Sequence, residues 1–169
     1  MRQDFLDFFD AEYLLVVRFM MRMGACLADA EDAAQYMAMQ GWRKVQKEQW
    51  DQVTNPPAWA RKVALNHHRA QHRDRTEVPL ATDVDPPASG PGHTELSNQA
   101  RDVVALLQRL DSHSRVVIAC DLDDIPSADI AAMLGITQQK VRDLRAKARR
   151  QLAVLLPHPR TLKGGDRGE

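Results

Sequence analysis

Near the C-terminal end of this 169-residue chain, Gln138, Gln139, Lys140, Arg142 and Arg145 crowd into eight positions. These residue types read base edges and grip phosphates, so the chemistry they offer is nucleic-acid recognition. A second concentration lies at 61–75, with five Lys/Arg, three histidines and one acid. Such a run is usually solvated surface, but its interleaving with His and Asn makes a nucleic-acid strip a fair competitor. Within it, His68 and His72 have the i,i+4 spacing of zinc ligands. No carboxylate or cysteine of matching spacing accompanies them, so no metal is expected. Nucleophile–base pairing and phosphate-cradling glycine loops are also lacking, so neither an enzyme nor a cofactor is expected.

The C-terminal group must be carried on a helix, and residues 124–145 supply one. Ser127 stands where an N-cap is needed, and Ile130, Ala131 and Leu134 follow on one helical face. Gly135 suits the left-handed corner that ends the helix. Thr137 then caps a second helix, in which Val141, Leu144 and Ala148 recur at helical spacing. A small residue at 131, glycine at 135 and a branched residue at 141 make the helix-turn-helix pattern. Spacing alone would fit an αα-hairpin of a helical core equally well. The polar and basic outer face decides for a DNA-reading helix.

The whole chain is neutral, with 23 basic and 23 acidic residues, unlike an autonomous DNA binder. Charge is instead segregated. Residues 98–137 carry three basic and six acidic side chains, and 138–156 carry six basic and one acidic. Two cysteines, Cys26 and Cys120, sit in apolar helical stretches; they fit a reduced cytoplasm and read as small buried hydrophobes. Arg18 and Arg22 interrupt the most apolar run, so no membrane insertion is expected. The acidic, aromatic start is unlike a signal peptide, and the expected location is cytoplasmic.

Taken in order, Phe5, Phe8, Phe9, Tyr13, Val16, Val17 and Met20 make a core-facing stripe on a first helix. A second helix opens at Asp29, with Asp32 completing an imperfect capping box. Its buried side holds Ala30, Ala33, Ala34, Met37, Ala38 and Trp42. Its other side presents Asp32, Gln35, Met39 and Arg43, a set that suits a partner surface. After a loop at 48–57, a third helix runs from Pro57 to about 75. Residues 76–97 then bring four prolines, two glycines, four acids and no Lys or Arg, the composition of a linker. Fully extended it reaches roughly 70 Å, at about 3.3 Å per residue. The two helical bodies can therefore sit far apart on one long target. The expected fold is all-α: a helical domain at 1–75, a flexible linker at 76–97, a helix-turn-helix domain at 98–156 and a disordered tail at 157–169.

Together these segments resemble a bacterial sigma-70 family RNA polymerase sigma factor of the extracytoplasmic-function (ECF) type. In the first domain the matching residues are Ala30-Glu-Asp-Ala-Ala-Gln35, Trp42, Asn55-Pro-Pro-Ala-Trp59 and Val63-Ala-Leu-Asn66. In the second they are Leu110, Arg115-Val-Val117, Asp129-Ile-Ala131, Leu134-Gly-Ile136, Val141, Ala146-Lys-Ala-Arg149 and Leu152. The resemblance covers most of the chain outside linker and tail.

It implies a sigma factor that binds core RNA polymerase and directs transcription initiation. Asp32, Gln35 and Met39 would dock on the clamp helices of the largest subunit, and the flap would be a further contact on the polymerase. Asn55, Arg61, Lys62, Asn66, His67, Arg69 and Arg73 would engage the −10 element of promoter DNA. The loop before Asn55 would capture an extruded base there. Gln138, Gln139, Lys140, Arg142, Asp143, Arg145 and Arg149 would serve the −35 element. The acidic linker would thread the polymerase's RNA channel, and an anti-sigma factor is a possible further partner. The competing reading is a stand-alone helix-turn-helix transcriptional regulator, which leaves the basic strip, the linker and the neutral charge unexplained.

Overall fold

Aromatic and aliphatic residues three and four apart draw the first helix inward along its whole length. The structure, a computed structural model, describes residues 2–76 and 98–155. The expected linker beyond residue 76 and the expected tail at 157–169 lie outside the described residues. Helix α1 (Arg2–Arg22) buries Phe5, Val16, Val17, Phe19, Met20 and Met21. Gly24, with φ at +102°, turns the chain back. Helix α2 (Leu27–Gln46) then packs against α1 and, further on, α3, burying Ala30, Ala33, Ala34 and Met37. Gly41 faces Phe5 of α1, and a Cβ there would collide with the edge of the Phe5 ring.

Sequence rules place the start of α2 at Asp29, but the helix begins two residues earlier. Cys26 is the N-cap, its Sγ accepting the Asp29 amide at 3.4 Å. Sulfur is a weak acceptor, so a cysteine cap leaves no signature among the usual capping residues. Cys26 is accordingly exposed, which corrects the expectation that both cysteines are buried. Cys120 is buried, and loss of hydration pushes its thiol up to about 12.

A 3₁₀ turn at Trp50–Gln52 sets Trp50 edge-on to Phe5 and Trp59, with ring centroids 4.9 and 5.5 Å apart. Helix α3 (Pro56–Thr76) follows directly. Asn55 Oδ1 accepts the Ala58 amide at 3.1 Å, and the two prolines occupy first-turn positions that need no donor.

The second half comprises α4 (Asn98–Gln108), α5 (Ser112–Asp121), α6 (Ser127–Leu134) and α7 (Gln138–Leu155). Asp111 caps α5 through the Ser114 amide at 3.0 Å, and Thr137 caps α7 through the Lys140 amide at 3.1 Å. Gly135 ends α6 in the left-handed conformation, φ 66° and ψ 34°. Ser127 is not the cap of α6. Pro126 holds that position, and the Ser127 hydroxyl accepts a bond from Arg145 instead. Val141, Leu144 and Ala148 form the buried side of α7.

The two halves pack together rather than standing apart. One core joins Val16, Phe19, Met20 and Leu65 to Val116, Val117, Cys120, Ile125 and Ile130. Helix α1 touches α4 and α5, and α3 touches α6. The described residues are all helix, turn or irregular, and the all-α expectation holds for them.

Candidate nucleic-acid interface

Helix α7 displays its polar face because Val141, Leu144 and Ala148 commit the opposite face to the core. Gln138, Gln139, Lys140, Arg142 and Asp143 are all exposed, as is Arg149 farther along. Three of these residues hold one another. Gln139 donates its amide to Asp143 at 2.9 Å and accepts from Arg142 at 2.7 and 3.1 Å. The guanidinium of Arg142 is thereby steadied on the surface.

Arg145 behaves differently. Its Nε and Nη2 bond both oxygens of Asp121, at 2.7 and 2.5 Å, and Nη2 also reaches Ser127 Oγ at 3.1 Å. Hydrogen bonding to Asp121 outweighs partial burial and holds the guanidinium more firmly charged than usual. The side chain of Arg145, expected on the DNA-facing set, serves here as a strut from α7 to α5 and α6. Bidentate pairing is the geometry in which arginine gains most from a carboxylate, and the acid-rich segment before α6 provides one.

On α3, Lys62, Asn66, Arg69 and Arg73 are exposed and recur at intervals of four, three and four. That spacing gathers them on one stripe. Arg61 does not join them, and its assignment to DNA contact is corrected. It is 1% exposed, with Nε on Asp123 at 2.7 Å and Nη1 on Glu12 at 2.7 Å and on the Pro57 carbonyl at 3.0 Å. Burial opposes its charge, but the bonds and fields of Glu12 and Asp123 outweigh that. Asn55 is likewise engaged: besides capping α3, its Nδ2 donates to Asp129 of α6 at 2.7 Å. His67 is half-buried, stacked on Tyr36 at 3.9 Å with its Nε2 2.9 Å from Asp32 Oδ2.

Asp32, Gln35 and Met39 form an exposed stripe on α2, Met39 being 52% exposed. Asp32 also accepts from Gln71 Nε2 at 2.9 Å, so it clasps α2 to α3. Bonds from His67 and Gln71 hold its carboxyl below the usual range. Beside Met39 lies an apolar groove of about 490 Å³, lined by Phe5, Leu6, Phe9, Ala38, Trp42 and Arg43. Sequence reasoning missed it, though Leu6 next to a core phenylalanine was a visible signal.

Folding also unites Asp29 with His68 and His72, one ligand atom from each lying within 4.8 Å of the others. Asp29 is far from this histidine pair in sequence, and the packing of α2 on α3 is what brings its carboxylate to them. Among the described residues, no helix is long and apolar enough to cross a membrane.

Residues 8–77 match the Sigma-70 region 2 family model. No curated protein is significantly similar to the chain. Among solved structures, the sigma factor RpoE in complex with the anti-sigma factor NepR from Bartonella quintana superposes with a TM-score of 0.67 at 23% identity. That likeness covers 88% of this chain and 96% of the other. CnrH in complex with the cytosolic domain of CnrY superposes with a TM-score of 0.64 at 19% identity, covering 92% of this chain and 88% of the other. Residues 8–77, in α1, α2 and α3, thus match a sigma-70 region 2, and the chain shares the fold of these two solved structures.

Proposed function

We propose that the chain binds core RNA polymerase and directs it to promoters by reading DNA at two places. In this reading α7 enters the major groove of the −35 element with Gln138, Gln139, Lys140 and Arg142, while Arg149 contacts the backbone. The stripe of Lys62, Asn66, Arg69 and Arg73 meets the −10 element. Asp32, Gln35 and Met39 face the polymerase clamp. The observation that carries the proposal is the exposed, mutually bonded face of α7 on a helix-turn-helix, in a chain with a sigma-70 region 2.

Neutral net charge supports dependence on the polymerase, because sequence-blind attraction to phosphates is too weak without an excess of basic groups. An anti-sigma factor is a further partner of this reading, supported by the complex in which RpoE was solved. The work is done in the cytoplasm, where polymerase and DNA are. Domain boundaries follow the sequence: polymerase and −10 functions in 1–75, −35 function in 98–156.

Co-purification with core polymerase followed by run-off transcription tests the proposal. The expected result is promoter-specific transcripts only when both are present. Tight, two-fold symmetric protection of promoter DNA by the chain alone would favour a stand-alone regulator and overturn it.

A further inference from the structure

Two histidines four apart on one helix present their rings on the same side, and here the rings of His68 and His72 are 4.2 Å apart, edge to face. Asp29, in the first turn of α2, brings a carboxylate to the same spot. We propose that Asp29, His68 and His72 bind one divalent transition-metal cation of the zinc type. The inference does not rest on the promoter-reading proposal.

The donor set argues for that class of ion. Two imidazoles and one carboxylate suit zinc, cobalt or nickel, whereas calcium and magnesium take oxygen donors. Reach is also adequate. Ligands around a tetrahedral zinc with bonds near 2.0–2.1 Å stand about 3.3 Å apart. The donor atoms already lie within 4.8 Å, so small side-chain rotations close the set. Asp29 and His68 are half-buried and His72 is exposed, which leaves an entry path for the ion. Three protein ligands leave a fourth position for water or for a group from a partner.

The location gives binding a consequence. Asp32 is one turn further along α2 and already bonds His67 and Gln71 of α3. A metal at Asp29, His68 and His72 adds a second tie between the same helices. It would stiffen the surface that begins at Asp32.

The test is titration of the tag-free, full-length chain with Co²⁺, followed by visible absorption, and then displacement by Zn²⁺. One cobalt per chain with tetrahedral d–d bands is expected. Asp29→Asn, His68→Gln and His72→Gln should each weaken binding at least about tenfold. His113→Gln, on the other half, and Cys26→Ser should leave it unchanged. Melting curves with and without Zn²⁺ guard against misfolding: the wild-type midpoint should rise, and that of a folded His68→Gln/His72→Gln variant should not. No saturable binding, binding that survives the double substitution, or loss in Cys26→Ser would each overturn the assignment.

Discussion

Arg61, buried in the N-terminal half, donates its Nε to Asp123 of the α5–α6 connection at 2.7 Å, joining residues 62 positions apart. Arg22 donates to the other oxygen of the same carboxylate, at 2.5 Å. One aspartate thus receives two arginines from the opposite half of the molecule. The side chains of Arg61 and Asp123 are 1% and 4% exposed, so water contributes little to solvating either.

Asp123→Ala should therefore leave the buried guanidinium of Arg61 with Glu12 and the Pro57 carbonyl, and its Nε without the partner it has now. Removing one member of a buried pair typically costs about 3–5 kcal/mol. Urea denaturation should report that loss, and small-angle scattering should show an expanded particle as the halves separate. If both stability and dimensions were unchanged, the pair would not be what holds the halves together.

Gly41→Ala tests the closeness of α1 and α2. The added methyl would collide with Cε2 of Phe5 and stand 2.8 Å from Cζ. That ring is boxed in by Phe8, Phe9, Trp42 and Trp50. Overpacking of this kind costs about 1–3 kcal/mol, although alanine is the better helix former. A melting temperature equal to or above wild type would show that Phe5 can move aside.

Asp111 links stability to acid. Burial raises its carboxyl, but the Ser114 amide and hydroxyl and the Lys147 ammonium together hold it well below the usual range. A carboxyl depressed by folding contributes stability above its unfolded pKa of about 3.9, and that contribution fades as pH falls. Asp111→Asn keeps the cap and removes the titration. The variant should lose less stability than wild type between about pH 4 and pH 2. Parallel losses in chemical denaturation across that range would refute the role.

On the proposed −35 surface, Arg142→Ala should remove sequence readout, at about 1–3 kcal/mol per bidentate base contact. Arg149→Ala should weaken binding to all sequences alike and lessen its dependence on salt. Transcription from a panel of −35 variants at two salt concentrations separates the two. Identical behaviour of both variants would mean that Arg142 contacts backbone only.

What could be foreseen from the sequence was local. The helix-turn-helix is legible because Gly135 is selected by backbone conformation alone; its φ is +66° and nothing lies within 4 Å of a Cβ there. The cap at Thr137 is legible for the same reason, since donor and acceptor are three residues apart. Arg61 was not. In a run of basic residues, charge pattern gives no register for which one turns inward, and its carboxylate partner belongs to the other half. Arg145 was lost the same way to Asp121. Asp29 was invisible beside His68 and His72 because helix packing, not spacing, brings it there.

The apolar seam between the halves carries a price for any reading in which they part. Phe19, Val16, Ile125 and Ile130 are at most 6% exposed, and all lie in one continuous cluster. Spreading the chain along a promoter would wet those side chains, so whatever separates them must offer its own greasy surface in exchange. Heating, which offers none, should melt both halves in a single cooperative step.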